Sequence, residues 1–300
     1  MKKKLLLWLT SLSLVLILVG CNGAQLPKYQ SHKSLGPQIN YTITGIEAGS
    51  GIMGRADQAL TSYHLKSQKW QLMTSSTAAM ISTLDKATKN KQPIVVTAWQ
   101  PHWMVEKYNL KFLKDPKHVF GKGESMRTVA RLGLKKDNPG VYQFLKNFHW
   151  QLDEATPLMM KINSGVKTET AVKDYINQHP QQIKAWLQNV PAGNGKKVTL
   201  VYTPFDYEVA ATNLVKKVLT DHGYKVDMRQ LDVGIMWSAL SSKSADATVV
   251  AELPVTQGLY EKKYHNKIDV VRSNLPGAKT GLAVPKYMKN INTIDDLKNK

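Results

Sequence analysis

Cys21 is the residue whose chemistry its immediate neighbours declare most openly. It is the single cysteine among 300 residues and follows Leu18-Val19-Gly20, while Lys2, Lys3 and Lys4 precede a mostly apolar run from Leu5 to Leu18. A basic start, an apolar stretch of secretory length and small residues before a cysteine describe a lipobox. The small side chains fit a signal peptidase pocket, and the thiol accepts a diacylglycerol. A transmembrane helix would need about 20 apolar residues, and this run is shorter. Residues 1–20 are therefore expected to be a lipoprotein signal peptide and Cys21 the lipid anchor, with palmitate-type acylation. Without a second cysteine no intramolecular disulfide can form. Residues 21–40, rich in Gly, Pro, Ser, Asn and Gln, are expected to be a lipid-anchored flexible tether.

Catalytic chemistry finds little footing elsewhere. The 8 histidines include no His-Glu-x-x-His pair, so no metal spacing is seen. There is no Gly-x-Ser-x-Gly elbow, and Gly49-Ser50-Gly51 lacks the Gly-Lys-Ser/Thr that completes a phosphate loop. Neither a metal nor a cofactor is implied. A lipoprotein hydrolase stays as a remote alternative, and an adhesion or scaffold lipoprotein as a third class. The net charge of +19 comes from scattered lysines, with no basic stripe or nucleic-acid motif. It reads as a solvated surface with affinity for anionic lipids and wall polymers. Hydrophobic content of 42%, with 7 Trp and 12 Tyr, supports packed cores. The remaining length of about 260 residues suffices for two lobes.

Two halves share one grammar, and each ends by delivering a notable side chain. In the first, a β-like run at 41–46 turns at Gly49-Ser50-Gly51 into a helix at 52–63. A strand at 70–73, a helix at 78–89 and a strand at 93–98 follow, and the last delivers Trp99. In the second, a strand at 197–202 leads to a helix at 208–222 whose Val209, Leu214, Val215, Val218 and Leu219 fall at helical spacing. A strand at 225–231, a helix at 236–242 and a strand at 247–251 then deliver Glu252. Residues 138–190 between the halves look helical, and Pro191-Ala192-Gly193-Asn194-Gly195 breaks them off. Alternation of this kind favours parallel sheets with covered faces, whose ligands sit at the carboxyl ends of strands. Two such lobes facing each other make a cleft.

Several ordered blocks then carry a resemblance. They are Gly45-Ile46-Glu47-Ala48-Gly49-Ser50-Gly51-Ile52-Met53, Thr97-Ala98-Trp99-Gln100-Pro101-His102-Trp103-Met104, Leu113-Lys114-Asp115-Pro116-Lys117, Ala210-Ala211-Thr212-Asn213, Gly234-Ile235-Met236-Trp237 and the run from Gly277 to Met288. Over 38–300 the chain resembles the glycine betaine-type substrate-binding proteins of osmoprotectant ABC importers. The resemblance implies an α/β, two-lobed periplasmic-binding-protein fold (type II-like) with its ligand in the interlobe cleft, closing by a hinge. Lobe I is expected at 41–110 plus 265–300 and lobe II at 111–264. It further implies a monomer, extracytoplasmic and held to the cell membrane by its lipid, that passes an onium solute to permease and ATPase subunits.

The family's site residues transfer position by position. Gly51 and Ile52 match its backbone carboxylate donors, and Trp99 matches the first tryptophan of its trimethylammonium cage. A quaternary ammonium has no N–H to donate, so aromatic faces must recognise it by cation–π attraction, and indole is the best of them. Three positions depart from the pattern. Phe205 stands where a second cage tryptophan is common, Glu252 where a third is expected, and Gln257 where a histidine helps to bind the carboxylate. These departures suit a net cation such as choline or another amine better than glycine betaine. They also suit a betaine if Glu252 turns outward and Trp237, Trp103, Tyr202 or Tyr207 completes the cage.

Plainer readings stand beside these. Trp99 at a strand end could serve packing, and Glu252 could pair with a surface lysine to little effect. Trp103 and Trp237 read as core or hinge packing, Asp206 and Asp246 as turn or capping residues, and Trp150 and Trp186 as core.

Overall fold

The computed structural model describes residues 27–298. The expected signal peptide, Cys21 and the first residues of the tether lie outside the described residues. From Tyr29 onward the expected tether is packed chain instead. The Tyr29 N–H donates to the Lys91 carbonyl at 2.8 Å. Leu35 and Ile39, four apart around the helical turn Leu35–Gln38, are buried. The polar composition of this segment conceals those two apolar anchors.

The first parallel unit sets β1 (Thr42–Thr44) beside both β2 (Gln71–Met73) and β3 (Val96–Gln100). Helix Gly51–Ser62 covers it through Ile52, Met53, Ala56, Ala59 and Leu60, a buried stripe at helical spacing. Helix Thr77–Lys89 begins at Ser76, whose Oγ accepts the Ala79 N–H at 3.1 Å, a cap worth about 1 kcal/mol. Two antiparallel strands follow, β4 (Leu110–Phe112) and β5 (Glu124–Arg131). The helical middle comes next, with Phe144, Phe148, Trp150 and Trp186 fully buried in it.

The second parallel unit mirrors the first: β6 (Lys197–Tyr202) pairs with both β7 (Lys225–Gln230) and β8 (Ala247–Leu253). Helix Asp206–Asp221 packs on it through Ala210, Ala211, Leu214, Val215, Val218 and Leu219. The last strand, β9 (Ile268–Pro285), is 18 residues long and belongs to both lobes. Residues 268–278 run antiparallel to β5, whereas 279–283 run antiparallel to β3. The path through the strands is β2-β1-β3-β9-β5-β8-β6-β7, with β4 alongside β9.

The lobe boundaries therefore differ from the expected 110/111 and 264/265. Leu113 and Lys114 donate from their N–H groups to the Leu282 and Asn292 carbonyls, and Tyr63 Oη donates to Asp115 at 2.6 Å. Those bonds keep the chain in the first lobe until about 120. On its return the chain stays in the second lobe until β9 changes partner after Ala278, one residue past Gly277, which adopts φ 85°. A side chain would be strained there. The outgoing crossing has its own left-handed glycine, Gly123 at φ 118°.

A buried polar chain ties β5, β8 and β9 together. Asn274, fully buried, donates from Nδ2 to Thr128 Oγ1 and to the Val249 carbonyl, each at 2.8 Å. Its Oδ1 accepts Tyr207 Oη at 3.3 Å, and that hydroxyl accepts the Trp150 indole N–H at 2.8 Å. Asn274→Ala would strand these donors and acceptors in a dry interior. A loss of about 1–3 kcal/mol of stability is expected, read as a lowered urea midpoint; an unchanged midpoint would show that the network carries no weight.

Candidate ligand-binding site

Between the lobes lies a cavity of about 490 Å³. The turn 46–52 and the end of β3 form one wall. The opposite wall comes from the start of helix Asp206–Asp221, the end of β8, and residues 256–260. Strand ends thus meet across the cleft, as the alternating pattern requires.

All six residues expected from the sequence line this one cavity: Gly51, Ile52, Trp99, Phe205, Glu252 and Gln257. Gly51 and Ile52 open their helix, and Ser50 makes no side-chain cap bond there. Met53 and Gly54 donate to the Ser50 carbonyl. Among the described residues no hydrogen bond uses the N–H of Gly51 or Ile52, so both are left as first-turn donors. Trp99, paired across β3 and β9 with Thr280, packs edge-on against His102 with ring centres 4.6 Å apart. Phe205 precedes helix Asp206–Asp221 and is 54% exposed. Gln257 is buried, and its Oε1 accepts the Trp237 indole N–H at 2.8 Å. Indole can only donate, so the amide orientation is forced, and the Gln257 NH₂ group faces away as a free donor.

Glu252 lines the cavity rather than turning outward, and none of Trp103, Trp237, Tyr202 and Tyr207 is among the lining residues. The additional aromatic is Tyr260, stacked on Trp237 with an 11° interplanar angle. Burial, followed by the nearby charge of Glu124, pushes the Glu252 carboxyl up to about 8. Glu124 itself accepts the Val255 and Thr256 N–H groups and the Thr256 hydroxyl, which holds that loop against the cavity. Glu208, not among the residues expected from the sequence, is only 3% exposed and lines the same cavity. Its signal was spacing, because it lies three residues past Phe205 and so shares a helical face with it. Thr203 Oγ1, also in the lining, is buried without a hydrogen-bond partner, a polar atom that a ligand could satisfy.

A second feature corrects the reading of Asp206 as a turn or capping residue, while Trp103 is buried in the core as expected. Trp103, just after β3 in the first lobe, donates its indole N–H to Asp206 Oδ2 in the second lobe at 2.7 Å. His102 Nε2 lies 3.1 Å from the same oxygen. Because His102 Nδ1 accepts the Met104 N–H, the ring proton sits on Nε2 and is donated to Asp206. Burial pushes the Asp206 carboxyl up, but the bonds from His102 and Trp103 outweigh it and hold the group below the ordinary range. The bridge is therefore present at neutral pH and is lost only as pH falls through that lowered value.

A two-lobed α/β frame, a cleft cavity lined by aromatics, carboxyls and free N–H groups, and a hydrogen bond joining the lobes define a substrate-binding protein. The chain belongs to the family of substrate-binding domains of ABC-type glycine betaine transport systems, whose model matches residues 23–178 and 196–300. It is 47% identical over 298 residues, 99% of each chain, to the glycine betaine/carnitine transport binding protein GbuC of Listeria monocytogenes serotype 1/2a (strain 10403S). Among solved structures, lactococcal OpuAC, closed and complexed with glycine betaine, aligns at 39% identity over 55% of this chain and 63% of that one, TM-score 0.46. The glycine betaine/L-proline-binding protein ProX of Borrelia burgdorferi aligns at 29% identity over 54% and 62%, TM-score 0.42. The family consists of transport binding proteins, so the protein is not an enzyme and the hydrolase alternative falls.

A hydrogen bond to a charged group is worth about 1.5–3 kcal/mol. Asp206→Ala is therefore expected to weaken solute affinity roughly tenfold to a hundredfold by releasing the closed form. Calorimetric titration reads this directly, and an unchanged Kd would remove the bridge from the closing energetics.

Proposed function

We propose that this chain is the extracytoplasmic capture component of an ABC importer for a quaternary-ammonium solute of the glycine betaine, proline betaine, carnitine or choline class. It serves osmoprotection, works as a monomer and hands its solute to permease and ATPase subunits. The observation that carries this reading is the convergence, in one cavity, of the Trp99 face with two unused helix N–H groups and the Gln257 amide. The onium head lies against Trp99, with Phe205 and Tyr260 completing the aromatic wall. A carboxylate or hydroxyl at the other end takes the N–H groups of Gly51 and Ile52 and the Gln257 NH₂. The lobes turn about the crossings near Gly123 and Gly277, and the Trp103–Asp206 bond fastens them. The name of the Listeria relative, a glycine betaine/carnitine transport binding protein, supports the solute class.

The lipid on Cys21 holds the protein at the outer face of the membrane. No helix among the described residues is long and apolar enough to cross it. Cys21→Ser is expected to abolish palmitate labelling and to move the protein out of the membrane fraction; full retention there would refute the anchor.

Binding is tested by titrating glycine betaine, carnitine and choline into the full-length chain. At least one should bind saturably, and Trp99→Ala should weaken it by at least tenfold, since a desolvated cation–π contact is worth about 2 kcal/mol. Binding unaffected by Trp99→Ala would displace the site, and no binding of any of them would overturn the solute class.

A further inference from the structure

The charge of the cavity is one-sided. Glu208 and Glu252 line it, the exposed Glu47 stands at its rim, and no Lys, Arg or His is among the lining residues. Glu208 comes from the first turn of helix Asp206–Asp221, and Glu252 from the next-to-last position of β8, opposite Met126 of β5. Neither makes an ion pair among the described residues.

The neighbouring charges are engaged elsewhere or share the same sign. Glu124 of β5 holds the loop at Val255 and Thr256. Asp206 holds Trp103 and His102, and Glu47 holds the Thr77 N–H and hydroxyl. Tyr260 is the remaining titratable side chain of the lining. Arg55 and Lys262 line an adjacent groove instead. Two carboxyls are thus left facing one cavity with no cation built in to balance them.

Two such groups cannot both ionise cheaply. Burial, followed by the charge of Glu252, raises the Glu208 carboxyl well above its ordinary value, against the pull of the helix N-terminus. Burial therefore favours the protonated form of both carboxyls above the ordinary carboxylate range. A ligand can supply the missing positive charge in place of that proton, but only if it does not bring a carboxylate of its own alongside.

We infer that Glu208 and Glu252 form one proton-sharing wall that sorts solutes by net charge, taking choline-type cations when ionised and admitting zwitterionic betaines when protonated. This rests on the reading of the cavity as an onium cage. Binding of a cation expels the shared proton, so cation affinity rises with pH. A betaine gains nothing from ionisation, and its affinity stays level or falls over the same interval.

The test is calorimetric titration of choline and of glycine betaine into the detergent-solubilised full-length chain, from about pH 5.5 to about pH 9.5, a window that spans the Glu252 carboxyl, pushed up to about 8. Choline is expected to bind up to about tenfold more tightly per pH unit. Its binding heat should vary with the ionisation enthalpy of the buffer, which reports the released proton, and glycine betaine should show neither effect. Glu208→Gln and Glu252→Gln keep the side-chain volume, and each is expected to flatten the choline profile. A flat choline profile in the unaltered chain, or a slope that survives both substitutions, would overturn the proton-sharing wall while leaving the cage intact. If neither solute binds at any pH, the cage reading itself falls and takes the wall with it.

Discussion

A trimethylammonium group offers no hydrogen bond and has to be desolvated to be held. Whatever recognises it must present aromatic faces and negative potential, and must exclude water on all sides. No single lobe of an α/β protein can enclose a ligand in that way, because its strand ends open to solvent. Two lobes must close on each other, and they must do so in register. β9 meets that demand as one strand hydrogen-bonded to β5 in the second lobe and to β3 in the first. Trp99 sits on the first-lobe half of that seam, opposite Thr280. Glu252 sits one strand beyond β5, opposite Met126. The seam thus places the aromatic face and the carboxyl on either side of one shared strand.

The polar groups around the cavity are held by partners behind them. Trp237 fixes the amide of Gln257, Glu124 fixes the loop that carries Thr256, and the stack of Tyr260 on Trp237 positions the third aromatic. Support of this kind keeps donors pointing inward without ligand, so less ordering cost falls on binding. Glu208 and Glu252 are the exception, since no positive side chain backs them. Burial works against the charged form of both.

Much of this frame was legible in the sequence because it rests on local periodicity. The strand 197–202 and the helices at 52–63 and 208–222 were readable from alternating and helical apolar spacing, and they stand within two residues of where they form. β5 and β9 were not readable. β9 changes its partner and its buried face midway and contains Pro276, Gly277 and the buried polar Asn274, so no single period marks it. The six cavity residues were reached through motif resemblance and strand-end position. Glu208 was hidden because a carboxyl on the first turn of a helix looks like ordinary favourable charge at a helix N-terminus. The Trp103–Asp206 bond joins residues 103 apart, and only the packing of the two lobes against each other brings them together. The anchoring of Leu35 and Ile39 was masked by the polar residues around them.

The central claim is that one interlobe cavity holds an onium head against Trp99, beside the two carboxyls. A crystal structure of the chain grown with choline or glycine betaine addresses it most directly. The cage requires density for the ligand between the lobes, with its methyl groups on the Trp99 ring and the Trp103–Asp206 bond intact. Density in the adjacent groove by Arg55 and Lys262, or an ordered ligand that leaves the Trp99 face bare, would contradict it.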